Sequence, residues 1–400
     1  MNPGLQALKP YPFERLAEIR ARNPAPPDKP LINLSIGEPQ HPTPPCIHEA
    51  LVAHLADTAR YPATRGLAEF RYAVAAWASR RFQLANGLLD ADKQVLPVNG
   101  TREALFAIAQ TLFDGAAGKP LIGMPNPFYQ IYEGAALLGG AQPYFLPCPA
   151  GRGFRPDWTA VSEQIWRQMT LVYICSPGNP AGTVMTADDY AMLTDLADRH
   201  DFAIIADECY SEIYADESAP PLGLLQWCAA NGRNDFARCL VMHSLSKRSN
   251  APGLRSGFVA GDAGLIGAFY RYRTYQGGAM SLPVQHASIA AWSDENHVKE
   301  NRARYRAKFA RVHARLRPVL DFTLPVAGFY LWPALPIDGV SACERLLSEA
   351  GVLVLPGSFL ARDSAAGDNP GQNRIRIALV ADLAECEEAA DRLYSVIQRF

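Results

Sequence analysis

The chain has little that would direct it to a membrane, to nucleic acid or out of the cell. It carries 38 lysines and arginines against 40 aspartates and glutamates, a formal net charge of -2. No field of one sign is therefore available to gather a polyanion or an anionic surface. No apolar run is long enough to cross a bilayer, and Met1 to Arg20 interleaves prolines and charges where an export signal needs an unbroken apolar segment. The eight cysteines are scattered, with no C-x-x-C pair and no metal-ligand spacing. That argues against a disulfide framework and against a thiolate metal centre, and predicts reduced thiols in a cytoplasmic protein. Internal repeats and low-complexity tracts are absent too.

What is present is core. Of 400 residues, 48% are hydrophobic, enough for two or three packed units at roughly 100–200 residues each. Short apolar runs at 95–98, 121–124, 171–175, 202–206, 239–242 and 257–260 read as strands, separated by helix-length stretches such as 187–199. Apolar strands joined by helical crossovers predict an α/β fold with a largely parallel sheet. From about residue 295 the pattern changes to helices with short strands at 329–332, 352–355 and 374–379, then a helix capped by Asp382. The expected organisation is a proline-rich arm over 1–45 that joins a smaller domain, a large domain over 46–294, and the small domain proper over 295–400. The basic stretch 302–317 reads as an amphipathic helix with a solvated cationic face.

Polar residues collect where the predicted strands end. Asn99-Gly100-Thr101-Arg102 opens a helix, where free N–H groups and the positive end of the helix dipole suit an anion such as phosphate; an ordinary threonine N-cap is the alternative. Pro125-Asn126-Pro127-Phe128-Tyr129 offers Tyr129 to stack on a flat ring, with Phe128 left to the core. Asn179 follows one strand, and Asp207 with Tyr210 follows another. Gly37 ends the short strand predicted at 31–35, as a turn or as a close approach to a ligand. Ser244-Leu245-Ser246-Lys247-Arg248, with Arg255 eight residues past the lysine, suits an imine to an aldehyde whose phosphate is held by Ser244, Ser246 and Arg255. The alternative is a solvated surface lysine. One such strand end is unremarkable, but four or five on one sheet edge define a site. Arg376, on a half-buried strand, needs an anionic partner.

Two further patterns carry no site. His48 and His54 lie six residues apart and point to different helix faces, whereas a metal pair needs four. Gly115-Ala116-Ala117-Gly118-Lys119-Pro120 hints at a nucleotide loop but has too few residues between its glycines and no Ser or Thr after the lysine, so it reads as a surface turn.

Gly100-Thr101-Arg102, Tyr129, Asn179-Pro180, Asp207 with Tyr210, Ser244-x-Ser246-Lys247 with Arg255, and Arg376 together resemble, in order and spacing, the class I aminotransferases of the pyridoxal-phosphate fold type I group. The resemblance spans essentially the whole chain. It implies a large domain with a mostly parallel seven-stranded sheet, a smaller α/β domain, and pyridoxal 5'-phosphate on Lys247. Asp207 would hold the pyridine nitrogen protonated, Asn179 and Tyr210 would bind the phenolic oxygen, and Arg376 would clamp a substrate α-carboxylate. Gly37 would line the same pocket, and Tyr61 would reach the phosphate of a neighbouring subunit, which implies a homodimer with shared sites. Within the family, Met1 to Leu16 and Leu34-Ser35-Ile36-Gly37-Glu38-Pro39 look like the proteobacterial N-succinyldiaminopimelate aminotransferases of lysine biosynthesis. Gly178 and Ala181 depart from the Asn or Thr that many members carry.

The chemistry expected of Lys247 needs a neutral amine. A free lysine, with a pKa of ~10.4, makes that cost about 4–5 kcal/mol at pH 7. Burial and the nearby cations Arg255 and Arg248 are expected to lower it. The competing readings are an aminotransferase for aspartate, aromatic residues or alanine, a carbon–sulfur lyase using the same groups, and a non-catalytic regulatory module. The last lacks the appended DNA-binding segment such proteins carry. Arg65, Arg102 and Arg374 are the candidates for a distal substrate carboxylate.

Overall fold

The computed structural model describes residues 1–113, 120–364 and 367–400. The glycine turn expected at 115–119 therefore lies outside the described residues, as do residues 365–366. The strands are, in chain order, β1 (Ile32–Asn33), β2 (Val95–Val98), β3 (Leu121–Asn126), β4 (Gln142–Pro147), β5 (Met169–Cys175), β6 (Ala203–Asp207), β7 (Cys239–Ser244), β8 (Gly257–Gly261), β9 (Tyr330–Leu331), β10 (Val352–Leu353), β11 (Leu355–Pro356) and β12 (Ile375–Ala378). Seven of them form one sheet in the order β2-β8-β7-β6-β5-β3-β4. β8 runs antiparallel to both its neighbours, and the pairs from β7 to β4 are parallel.

The reversal of β8 has a simple cause. Residues 245–256 hold only the one-turn helix Leu245–Arg248 and a 3-10 turn Pro252–Leu254, too little chain for the crossover that a parallel neighbour requires. The chain turns back instead, pairing Ser244 with Gly257, and Gly257 in turn with Val98. The segment from Lys247 to Arg255 is thereby held at the same sheet edge as the carboxyl ends of β2, β3, β5, β6 and β7.

The unbroken apolar runs are explained by burial on both faces. Leu171 and Tyr173, Ile205, Leu240 and Met242 enter one core with Leu105, Ile108, Tyr132 and Phe269. Their alternates Val172 and Ile174, Ile204 and Ala206, Val241 enter another with Trp77, Tyr190, Trp227 and Trp292. The side-chain period of two thus splits each strand between two helix layers.

A third core gathers Leu16 and Ile19 of the helix Pro12–Arg22 with Leu316, Leu346, Leu355, Ile377 and Leu393. Here the run expected at 352–355 is two strands rather than one. β10 pairs parallel with β1, while β11 pairs antiparallel with β12, so the chain changes sheets at Val354. The final helix Leu383–Ile397 starts where expected, the Asp382 carboxylate accepting from the Glu385 amide at 2.8 Å. The helix Asn296–Leu316 is longer than its basic stretch suggested, and its cationic face is not all solvated. Arg302 is buried against the Glu217 carboxylate at 2.8 and 2.9 Å, and Lys308 is buried with its ammonium donating to the carbonyls of Leu379 and Val380. Among the described residues no helix is long and apolar enough to cross a membrane.

Candidate active site

A cleft of about 560 Å³ opens at the carboxyl edge of the large sheet. Lys247 enters it from the one-turn helix after β7, whose start is fixed by Ser244: its hydroxyl accepts from the Ser246 amide at 3.1 Å. The Lys247 ammonium donates to the carbonyl of Gly37. Burial first, then the Arg376 and Arg102 guanidiniums, lower its pKa to about 8, against the opposing pull of Cys209 and Glu38. This is not a solvated surface lysine. The cations differ from those expected. Arg248 points away from the cleft, buried under Trp292 and donating to the carbonyls of Ala291 and Asp294 and to the Glu295 carboxylate. Arg255 is turned toward β2, its guanidinium donating to the carbonyls of Pro252 (2.9 Å) and Asn99 (3.2 Å). Neighbours on a one-turn helix must diverge, so Lys247 and Arg248 part, while Arg255 lines the cleft from its far end.

The loop behind Lys247 is braced from the helix Asn296–Leu316. Asn301 accepts from the Asn250 amide at 3.1 Å and donates to the Lys247 carbonyl at 3.4 Å. His297 spans from Asp294 (2.6 Å) to the Ser249 hydroxyl (2.9 Å). Backbone and side chain of the lysine loop are therefore positioned by groups outside the cleft.

At one end the site is built for an anion. Gly100, at φ 85°, is the N-cap of the helix Thr101–Leu112, and Thr101 is its first residue, so the threonine cap is ruled out. A Cβ on Gly100 would lie 2.3 Å from the Arg255 guanidinium, so only glycine lets the two approach. Arg255 itself takes the left-handed conformation, φ 54°. No carboxylate pairs with it among the described residues, and Glu103, the nearest acid on the helix, is taken by the buried Arg273 at 2.6 and 2.8 Å. The Ser244 hydroxyl donates to that of Ser246 at 2.9 Å. Two hydroxyls, a guanidinium held only by backbone carbonyls and first-turn N–H groups thus converge.

The floor carries the opposite charge. Asp207, ending β6, is 3% exposed. It accepts from the Tyr132 hydroxyl (3.1 Å) and the Cys209 amide (3.3 Å), with no cation paired to it among the described residues. Burial raises its pKa, and its hydrogen bonds and His243 only partly oppose that. A buried carboxylate so placed calls for a ligand that brings a positive N–H. Tyr129 lines the cleft, its hydroxyl accepting from Arg102 at 2.6 Å, while Phe128 is core, as expected. The Tyr210 and Tyr330 hydroxyls lie 3.0 Å apart. Gly37 packs so closely on Tyr330 that a Cβ would fall 1.8 Å from that oxygen.

Arg376 rises from β12, donating to the Asn179 side chain (2.9 Å) and to the Ser35 carbonyl (2.7 Å). Among the described residues its buried Nε has no partner and no carboxylate is paired with it. The loop that sets Asn179 is closed by backbone bonds, Gly178 N–H to Thr183 C=O and Gly182 N–H to Gly178 C=O, both 2.7 Å. A side chain at Gly178 would meet only ordinary contacts from 3.4 Å outward, so this departure leaves the loop intact.

The cleft thus brings together Gly37, Thr101, Arg102, Tyr129, Asn179, Asp207, Tyr210, Ser244, Ser246, Lys247, Arg255 and Arg376, with Gly100 directly behind Arg255. Tyr61 is not among them; it stands fully exposed on the surface. Of the three arginines considered for a distal carboxylate, only Arg102 lines the cleft. Arg65 lies over the Tyr270 ring, and Arg374 donates to the Trp332 carbonyl. Sequence reasoning missed Tyr11, Phe13, Ile36, Gln130 and Leu360. Tyr11 closes one wall, accepting from Arg102 at 3.1 Å; its only signal was an aromatic pair, Tyr11 and Phe13, in a proline-rich arm.

The family model described as aminotransferase class I and II matches residues 29–393. The chain is similar to a crystal structure of an aminotransferase from Neisseria meningitidis, with 51% identity over 99% of both chains and a TM-score of 0.95. It is 30% identical to an LL-diaminopimelate aminotransferase of Desulforudis audaxviator, over 99% of this chain and 97% of that one. A structure from Thermus thermophilus, named a probable N-succinyldiaminopimelate aminotransferase, is 26% identical over 96% of this chain and 98% of its own, with a TM-score of 0.83.

Proposed function

The chain belongs to the class I and II aminotransferases, a pyridoxal-phosphate-dependent family, and on that premise we propose that it exchanges an amino group between N-succinyl-LL-2,6-diaminopimelate and 2-oxoglutarate. The observation that carries the reading is the pairing, in one cleft, of a lysine with a lowered pKa and an arginine whose buried Nε lacks a partner. Unacylated LL-diaminopimelate is the second reading, favoured by the 30%-identical relative of that name.

When bound, pyridoxal phosphate supplies an aldehyde that takes up an amino group and a ring that withdraws electrons from the substrate α-carbon. The residues present fit it. Ser244, Ser246, Arg255 and the N–H groups after Gly100 would hold the phosphate, Tyr129 would cover one ring face, and Asp207 would hold a proton on the pyridine nitrogen. Asn179 and Tyr210 would donate to the phenolic oxygen. Lys247 would hold the cofactor at rest and, once freed, carry the proton from the substrate α-carbon as a general base. Arg376 would take the α-carboxylate in a two-pronged grip, its planar fork matching two oxygens, with the backbone of Gly37 beside it. We propose that Tyr61 completes the phosphate site of a second copy, in a cytoplasmic homodimer. Residues 46–294 would then act as the cofactor-bearing unit, and 1–45 with 295–400 as the other.

A half-reaction tests the substrate. The cofactor spectrum of the purified enzyme is followed as N-succinyl-LL-diaminopimelate, LL-diaminopimelate or glutamate is added without an acceptor. Conversion by the succinylated donor and by glutamate, reversed by 2-oxoglutarate, supports the first reading; conversion by the unacylated donor in its place supports the second. Release of ammonia and pyruvate from a sulfur amino acid would instead mark a lyase.

Three further outcomes follow from the geometry. Arg376→Ala should weaken donor binding by about 2–5 kcal/mol with the cofactor retained, read by spectral titration; loss of cofactor with donor affinity unchanged would misassign it. Gly100→Ala should weaken cofactor affinity by roughly 10–100-fold, because the new methyl displaces the Arg255 guanidinium and forfeits about 1.5–3 kcal/mol of charged hydrogen bonding. The rate at which apoenzyme captures pyridoxal phosphate should rise about tenfold per pH unit up to about pH 8 and then level, since the lowered pKa of Lys247 makes its neutral amine plentiful only above that point. A flat profile between pH 6 and 8 would show that the amine is neutral throughout.

A further inference from the structure

Outside the cleft, one group of side chains has a composition that the transamination reading does not use. His54 is the C-cap of the helix Pro45–Ala53, Asp57 lies on the 3-10 turn Leu55–Ala59 that follows, and His286 comes from the helix Leu282–Ser293. One ligand-type atom from each lies within 4.8 Å of the other two. His54 Nδ1 is 3.0 Å from Asp57 Oδ2, and His286 Nε2 is 3.9 Å from the same oxygen. The two imidazoles stack with centroids 3.6 Å apart and planes 9° from parallel. The side chains of His54, Asp57 and His286 are 38%, 19% and 29% exposed, open enough to exchange a ligand with solvent. His48 and His54, six residues apart, make no metal pair in sequence; the second imidazole here is His286, from the helix Leu282–Ser293.

We propose that His54, Asp57 and His286 bind a divalent transition-metal ion, zinc(II) being the ion this donor set suits best. Two imidazoles and one carboxylate leave the remaining coordination positions to water. With metal–ligand distances of about 2.0–2.1 Å, tetrahedral ligand atoms stand roughly 3.3 Å apart, and the observed 3.0 and 3.9 Å bracket that spacing. The other charges at this place are Arg60, which also holds Asp57, and Glu69.

Binding rearranges the cluster in a defined way. Deprotonated His54 Nδ1 exchanges its hydrogen bond to Asp57 for the metal, and a shared ion must lie in both ring planes, so the stack opens. The ion then ties the turn Leu55–Ala59 to the helix Leu282–Ser293 and steadies the segment that leads to Tyr61. The second cluster of ligand types, Cys46, Asp294 and His297, is different: both ring nitrogens of His297 are committed to Asp294 and Ser249.

The test uses full-length holoenzyme stripped of metal by a chelator and dialysed. Zinc chloride is titrated by calorimetry, and cobalt(II) serves as a spectral probe. One equivalent of zinc per chain should bind and raise the melting temperature. His54→Gln and His286→Gln should each weaken binding about tenfold or more while melting like wild type without zinc. Cobalt should give ligand-field bands without a thiolate charge-transfer band. Should either histidine variant fail to fold, Asp57→Asn carries the same expectation. Unchanged affinity in the variants, a thiolate band, or absence of saturable binding would overturn the proposal.

Discussion

Lys247→Ala should abolish turnover, by about 10⁴-fold or more, because it removes both the covalent anchor and the general base. The same position should show the opposite effect on stability. The Lys247 ammonium lies in the cleft wall with the Gly37 carbonyl as its hydrogen-bond partner, and its pKa falls from 10.5 to about 8. A lysine whose folded pKa lies below its unfolded one binds fewer protons when folded, so stability rises with pH between the two values and the full cost is present below the lower. That cost is about 3 kcal/mol at pH 7. Lys247→Met, of similar length and uncharged, should therefore raise the denaturant midpoint of the apoenzyme at pH 7 and lose that advantage toward pH 10. Urea titrations of both apoproteins at the two pH values decide it. A Met variant less stable than wild type at pH 7 would make Lys247 a structural residue.

Most of the residues singled out in the sequence that line the cleft share a physical property: they sit at the end of a strand whose apolar run is unmistakable. Once β2, β3, β5, β6 and β7 are recognised as buried strands, Thr101, Tyr129, Asn179, Asp207 and Lys247 follow, because a sheet places its strand ends at one edge. The direction of β8 was not legible, since Gly257 to Gly261 is apolar whichever way it runs; the short link over residues 245–256 decides it. Tertiary direction was equally hidden within a motif. Lys247, Arg248 and Arg255 look alike as a basic cluster, yet Arg248 turns to Glu295 and Arg255 to Asn99, leaving burial, Arg376 and Arg102 to act on the lysine. The walls from Tyr11, Ile36 and Leu360 were beyond reach because they come from segments that carry no shared pattern and meet only in the folded chain. The His54–His286 pair was hidden for the same reason.

Asp207→Asn is the second large effect. Asparagine keeps the shape of the side chain: its carbonyl can still accept from the Cys209 amide, and its NH₂ can donate to the Tyr132 hydroxyl in place of the bond that Tyr132 now donates. Fold and cofactor binding should survive. What is lost is the negative charge that holds a proton on the pyridine nitrogen, and a preorganised electrostatic contribution of this kind is worth at least about 10²-fold in rate. The loss should appear in kcat and in the single-turnover rate of α-proton removal, with little change in donor affinity. A cofactor analogue methylated at the ring nitrogen carries the positive charge permanently, and should restore part of the lost rate in the variant. Normal single-turnover rates in the variant would refute the role, and a failure of the analogue to bind would be separated from a failure to rescue by its spectrum. Burial also raises the pKa of Asp207, so near neutral pH its charge destabilises the empty protein, and the apo variant should be the more stable one. Lysine and aspartate are thus held in opposite charge states that each cost stability in the empty cleft, and a ligand that presents an aldehyde to one and a ring N–H to the other relieves both at once.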